Sequence, residues 1–229
     1  KRYGADACII TEPTARGMRE LIVAHKGFVW LDVHTRGFAT HGSRWDIGIS
    51  AINAMGRVIA ACDEFDRNVL RQRTHPLLGP ASMHCALISG GTGLSTYAAA
   101  CRMQIERRTL PGETPERVLE EIWTLMRKAD VEGDVAITLA RPPLTVAPDA
   151  PIADCARRGM RAATGHHPAD AGVGYWMDAA IFAQAGIPTV NFGALGAGAH
   201  EAVEWVDLET VVQCARALYE TAIRFSEDN

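Results

Sequence analysis

Apolar and polar side chains alternate along residues 27–36, with Phe28, Trp30 and Asp32 on one side and Val29, Leu31 and Val33 on the other. A period of two marks a half-buried strand. A shorter β-type run at 6–10 ends at Thr11-Glu12-Pro13-Thr14, because Pro13 disfavours helix at Glu12 and cannot continue a ladder. The pattern changes to helical spacing over 47–65, where Ile52, Met55, Ile59 and Cys62 repeat every three to four residues. Two strand-like runs follow, at 82–89 and 97–107, joined across Gly90-Gly91-Thr92-Gly93. After the turn Leu110-Pro111-Gly112, Thr114 is placed as an N-cap with Pro115 at the first helical position. The helix it opens carries Val118, Leu119, Ile122, Trp123 and Met126 on one stripe, and residues 134–139 read as a last strand of this region.

The order over 27–139 is strand, helix, strand, strand, helix, strand, which is the split βαβ or ferredoxin-like arrangement. Arg141-Pro142-Pro143-Leu144 reads as a linker. Beyond it, 152–163 and 177–185 have helical patterning, and Gly186-Ile187-Pro188 introduces an apolar strand at 189–192. A glycine-rich loop over 193–199 leads to His200. Asp207 then caps a final helix whose expected buried face is Leu208, Val211, Val212, Ala215, Leu218 and Ala222. Helix, strand, glycine loop and helix suggest part of an α/β sheet to which the first 22 residues also belong. The expected organisation is a discontinuous α/β domain, residues 1–22 and 142–229, interrupted by a ferredoxin-like (βαββαβ) domain at 23–141.

Composition narrows the function classes. With 23 Lys plus Arg against 27 Asp plus Glu in 229 residues, no basic excess exists to drive phosphate binding, so a nucleic-acid partner is not expected. No apolar run approaches the length of a membrane span. The first seven residues have no apolar core of a signal peptide and no initiator Met, which points to sequence lost or processed upstream. The six cysteines are scattered without a CxxC pair and read as small buried hydrophobes of a reducing, cytoplasmic compartment.

Chemistry-bearing residues are sparse. Glu12 follows a strand, a common functional position in α/β sheets, although a solvated turn carboxylate has the same local pattern. His200 closes a loop whose glycines let the backbone approach something closely, with Glu204 four residues on. Asp32 and His34 share a strand face but have no third ligand nearby in sequence, so an exposed sheet face is expected. Glu120-Glu121 reads as the solvated face of an amphipathic helix, and His166-His167 as a surface loop. The Gly90–93 cluster is neither a GxGxxG nor a P-loop.

The order of the motifs resembles the metal-dependent aminoacylase family that includes acetylornithine deacetylase, succinyl-diaminopimelate desuccinylase and carboxypeptidase-type enzymes. Thr11-Glu12-Pro13-Thr14 is similar to that family's Glu-Pro-Thr metal-ligand segment. Gly37-Phe38-Ala39-Thr40-His41-Gly42-Ser43 is similar to its lid segment running from glycine to histidine. Gly90-Gly91-Thr92-Gly93 and Glu106-Arg107-Arg108-Thr109-Leu110-Pro111-Gly112 resemble its lid strand and arginine turn. Tyr175-Trp176-Met177-Asp178 and Gly198-Ala199-His200-Glu201 resemble the segment that carries the last ligand. Ser95 and Ala98 stand where the family has Asn and Pro, and its His-x-Asp segment occurs nowhere in this sequence.

The resemblance implies the C-terminal portion of a zinc-peptidase-like enzyme, with an α/β catalytic domain and an inserted lid and dimerisation domain. It implies two zinc ions, with cobalt or manganese as alternatives, about 3.5–4 Å apart in the complete enzyme. Glu12 and His200 would be metal ligands. His41 would be a catalytic donor to the oxyanion of the partner subunit's substrate, and Arg108 and Ser95 would contact substrate. The implied reaction is cleavage of an amide bond in an N-acyl amino acid or small peptide by a homodimer joined through the lid, with this chain alone inactive. A non-catalytic dimerising or ligand-binding protein is the alternative.

Overall fold

The computed structural model describes residues 4–228, so Lys1–Tyr3 of the expected first segment lie outside the described residues. In chain order the strands and helices are β1 (Cys8–Ile10), β2 (Glu20–His25), β3 (Gly27–Arg36), α1 (Ala51–Asn68), β4 (Thr74–His75), β5 (Gly79–Pro80), β6 (Ser82–Gly90), β7 (Ala100–Thr109), α2 (Pro115–Lys128), β8 (Gly133–Arg141), β9 (Leu144–Thr145), α3 (Pro151–Thr164), β10 (Ala169–Val173), α4 (Ala179–Gln184), β11 (Thr189–Asn191), β12 (Gly196–Ala197), β13 (Trp205–Val206) and α5 (Leu208–Asp228). No described helix is long and apolar enough to cross a membrane.

The chain divides into two compact units, residues 27–141 and residues 1–26 with 142–229. The first break falls after Lys26 rather than after residue 22. The reason is β2, which pairs with β10, β11 and β9 and so belongs to the discontinuous unit.

In the discontinuous unit the strand path is β1-β11-β2-β10, with β9 also on β2; β1 runs parallel to β11 and β10 parallel to β2. β2 is buried on both faces, as strands covered by helices on each side must be. Leu21 and Val23 pack with Ile152, Met160, Phe192 and Ala217 on the α3 and α5 side, whereas Ile22 packs with Leu144, Met177 and Ala180 beside α4. Gly159 lets α3 and α5 approach closely, since a Cβ there would run into Thr221. The buried face of α5 is Cys214, Ala217 and Thr221, which corrects the expected one: Leu208, Val211 and Val212 are exposed. Both sets repeat at helical spacing, so the pattern alone does not say which one meets the core.

The continuous unit is βαββαβ. Its antiparallel sheet has the order β6-β7-β3-β8, with α1 and α2 on one face. β3 alternates as its sequence indicates, with Val29, Leu31 and Val33 buried and Trp30 and His34 exposed. Thr114 caps α2 by accepting from the Arg117 N–H, and Pro115 is its first residue. The first helix begins at Ala51, four residues later than expected, because Ser50 caps it by accepting from the Asn53 N–H. Its buried line is Ala51, Ala54, Met55, Val58 and Cys62, and Ile52 is exposed.

One expectation fails inside this unit. Glu120 is exposed and paired with Arg127, but Glu121 is nearly covered and belongs to an ion-pair cluster. Arg107 is fully buried on β7; it lies 2.5 Å from Glu113 and 3.9 Å from Glu121, and Arg73 pairs with both carboxylates. Glu121 faces the sheet because a buried arginine calls for a carboxylate there.

Candidate active site

Glu12 stands just beyond the end of β1 and is fixed by its backbone. Its N–H donates to Asn191 Oδ1 at 3.0 Å, and Asn191 Nδ2 donates back to the Glu12 carbonyl at 3.3 Å. Asn191 is fully buried at the end of β11, so this pair ties the exposed Glu12 to the centre of the sheet. Gly193 lies against the same backbone, and a Cβ on it would overlap the Glu12 carbonyl. A parallel bridge between Thr14 and Leu195 continues the contact.

His200 comes from the other end of the unit. β12 and β13 pair as a ribbon, Gly196 with Val206 and Ala197 with Trp205, and residues 198–204 form its tip. The tip turns at Gly198 (φ 80°), where a side chain would collide with the Val203 carbonyl, and at His200 itself (φ 66°). A left-handed conformation is uncommon for a residue with a side chain. Glu12, Thr14, Tyr175, Trp176, His200, Glu204 and Trp205 line one cavity of about 730 Å³. The Tyr175 hydroxyl donates to the Pro13 carbonyl at 3.3 Å. Burial first, then the charges of Glu12 and Glu20, push that phenol up from its ordinary value, so it stays a neutral donor.

A carboxylate and an imidazole on one cavity wall are zinc-type donors. Their number is short of a centre: among the described residues no group of three His, Cys, Asp or Glu is placed to hold an ion. The chemistry of this wall fits part of a metal site.

The other expected site residues lie in the continuous unit, and the sheet divides them. His41 and Ser95 come together: His41 bridges Thr96, and the Gly42 N–H donates to the Ser95 carbonyl at 2.7 Å. Both are exposed, in loops beyond the end of the sheet where Arg36 pairs with Ala100. The Ser43 backbone N–H donates to His41 Nδ1 at 3.2 Å, and the Ser43 hydroxyl lies 2.8 Å from the same nitrogen. A backbone N–H can only donate, so Nδ1 accepts and the neutral ring carries its proton on Nε2. Arg108 is at the opposite end of β7, opposite Phe28 and Ser82. Its guanidinium is 2.8 Å from Glu106 and 5.5 Å from the centre of the Phe28 ring.

The remaining sequence readings sort simply. Asp32 accepts from Arg102 and Gln104, which hold its carboxyl below the usual range against the opposing effect of burial, and His34 is exposed on the same face. His166 and His167 are exposed. Asn191 and Trp205 were not singled out by sequence reasoning, and Tyr175 and Trp176 entered it only within a motif, with no role given to either. A polar residue ending the apolar strand at 189–192 was the one signal available for Asn191.

Residues 23–134 match the family model described as the peptidase dimerisation domain, M20_dimer. The chain resembles the C-terminal portion of an M20-type deacylase or peptidase. Acetylornithine deacetylase of Myxococcus xanthus is 26% identical over 210 residues, covering 88% of this chain and 54% of the relative. Acetylornithine deacetylase of Edwardsiella ictaluri (strain 93-146) is 34% identical over 119 residues, 48% of this chain and 28% of that protein. The chain thus spans about half, or less, of the length of the curated relatives it matches. The crystal structure of aminopeptidase PepT from Bacillus cereus superposes with a TM-score of 0.81 at 20% identity, over 98% of this chain and 58% of that one. An M20 family metallo-carboxypeptidase from Sulfolobus solfataricus gives 0.74 at 13% identity, over 98% and 64%. At those identities the structural likeness is one of fold.

Proposed function

We propose that this chain is part of a metal-dependent hydrolase that cleaves an amide bond of an N-acyl amino acid or a small peptide, and that it works as a homodimer joined through the continuous unit. The observation that carries the reading is the convergence of Glu12 and His200, from distant parts of the chain, on one cavity. They would hold part of a zinc centre, with the remaining ligands and the general base in sequence outside these 229 residues. Zinc in such a centre supplies an activated water and polarises the scissile carbonyl. The six free cysteines support a reducing compartment such as the cytoplasm.

The chain's own residues suit supporting roles. Asn191 fixes the direction from which Glu12 enters the cavity. Tyr175, Trp176 and Trp205 wall it with aromatic surface. Arg108, with a guanidinium fork suited to a carboxylate, would hold the acid end of the substrate. His41, with its Nε2–H outward, would donate to the oxygen that gains charge as the amide carbonyl is attacked.

Arg108 and His41 lie at opposite ends of β7, a strand of ten residues, which at ~3.3 Å per residue is about 30 Å. No small substrate spans that length. The separation supports a division in which Arg108 serves one reaction centre of the dimer and His41, with Ser95, the other.

The test is metal content and turnover. The 229-residue chain, dialysed and assayed with an N-acetyl amino acid, is expected to retain zinc weakly and show no hydrolysis. The same chain supplied with the N-terminal part of a relative should hold zinc and turn over, and Glu12→Ala or His200→Ala should lose ion and activity together. Two tightly bound ions and turnover in the 229-residue chain would contradict the reading, as would full zinc content in both variants.

A further inference from the structure

The six cysteines are not equivalent. Cys62 lies on the buried line of α1, and Cys85 lies on β6 opposite Ile105, on the face that α1 covers. The two elements are pinned one step away: Asp66 Oδ1 accepts from the Met83 N–H at 2.7 Å. From Asp66 to Cys62 is one helical turn back, about 6 Å at 1.5 Å per residue. From Met83 to Cys85 is one strand repeat forward on the same face, about 6.6 Å. The strand order makes β6 parallel to β3, so α1 runs against both and the two steps go the same way. They bring the thiols together, and Cys62 and Cys85 are hydrogen-bonded to each other.

We propose that Cys62 and Cys85 are a dithiol oxidised by small disulfides to an intramolecular disulfide that joins α1 to β6. Three further features support it. β6 ends the sheet, with no strand on its outer side among the described residues, and its ladder is irregular between Cys85 and Leu87. Cys85 is partly exposed, whereas Cys62 is buried. The Cys62 S–H, donating to Cys85, favours the Cys85 thiolate and brings that thiol below its ordinary value. Cys8, Cys62, Cys101, Cys155 and Cys214 are all pushed up. Thiolate fraction together with access selects the sulfur that reacts.

The steps balance with glutathione disulfide as oxidant. The Cys85 thiolate attacks one sulfur of glutathione disulfide; the S–S bond breaks and one glutathione leaves as thiolate, taking a proton from solvent. Cys62 then gives its proton to solvent and its sulfur attacks Cys85 Sγ, displacing the second glutathione. Two protein thiols have lost two electrons and two protons, and one small disulfide has become two thiols.

The full 229-residue chain, incubated with glutathione disulfide, quenched with N-ethylmaleimide and digested without reductant, tests this. A peptide pair joined through Cys62 and Cys85, returned to free thiols by dithiothreitol, is expected. Before oxidation, Cys85 should be alkylated about tenfold faster than any other cysteine at neutral pH. In Cys62→Ala the glutathione adduct should persist on Cys85, and in Cys85→Ala neither adduct nor cross-link should form. A cross-link through any other pair, a lasting glutathione adduct on wild-type Cys85, or an unreacted Cys85 would overturn the proposal. The wild-type map decides the matter even if a variant fails to fold.

Discussion

The two units differ in how the chain builds them. The continuous unit is made from one stretch of chain, and its βαββαβ order closes a four-stranded sheet over its own core. The discontinuous unit is assembled from two distant segments, residues 1–26 and 142–229, whose strands interleave in one sheet. The same contrast appears in the chemistry. The continuous unit holds charged and polar side chains in mutual contact, such as the Arg107 cluster and the His41–Ser43 pair. The cavity of the other unit brings Glu12 and His200 together, with no group of three possible ligands among the described residues.

The largest expected effect, resting on the proposed function, is on catalysis when the chain is joined to the N-terminal part of a relative. His200→Ala should lose its ion and all measurable turnover. His41→Ala should keep its metal and lose roughly 10²–10³ in kcat, the usual cost of removing an oxyanion donor. Equal loss of zinc in both variants would erase the distinction between the units.

Next in size is stability within the continuous unit. Glu113 bridges Arg107 and Arg73 and accepts from the Leu110 N–H at 2.9 Å. Glu113→Ala leaves the buried Arg107 short of a carboxylate and should cost about 3–5 kcal/mol, read by denaturant unfolding of the 229-residue chain. A loss below about 1 kcal/mol would mean that the cluster is solvated in solution.

The units should also part under acid. His25, at the end of β2, is fully buried, and its Nδ1–H donates to the Lys26 carbonyl at 3.0 Å. Burial pulls it below its ordinary 6.5, outweighing the Lys26 and Met177 carbonyls that favour the cation. The unfolded chain therefore binds the proton more readily, and stability present above pH 6.5 falls as pH drops through the lowered value. Glu113 is held below 4.5 by the Leu110 N–H and by Arg107 and Arg73, against the opposing effect of burial, so its contribution is lost only below that pH. Tryptophan fluorescence and hydrogen exchange at pH 6 to 4 should show the discontinuous unit loosening first, and His25→Leu should flatten that step. Simultaneous loosening of both units would go against the comparison.

The smallest effect is at the Ser50 cap. Ser50→Ala should lower stability by about 1 kcal/mol, in the continuous unit alone. A shift in protection of α3 or α5 would show that the units are coupled.

What could be read from the chain follows the same divide. The alternation of β3, the Thr114-Pro115 start of α2 and the order of elements along the continuous unit were legible because they arise from neighbouring residues. The buried face of α5 was not, since Val211 and Val212 look as apolar as Cys214 and Ala217, and only the position of α3 decides between them. Glu121 was misread because its partner, Arg107, lies on another element. Glu12, His200, His41, Arg108 and Ser95 were singled out by motif order. Their grouping, two on one cavity, two in adjoining loops and one at the far end of a strand, is a property of topology that no local pattern carries.

The central proposal is that a reaction centre holding Glu12 and His200 takes its His41 from the neighbouring subunit. Subunit mixing of the completed enzyme tests it most directly. His41→Ala and His200→Ala homodimers are each inactive or nearly so, and are allowed to exchange subunits, with exchange verified by native mass spectrometry. If His41 acts across the dimer, each mixed dimer holds one site with its own His200 and a donated His41, and activity should recover toward half of wild type per mixed dimer. If activity stays at the level of the parent homodimers despite demonstrated exchange, His41 serves its own subunit or none, and the account is contradicted.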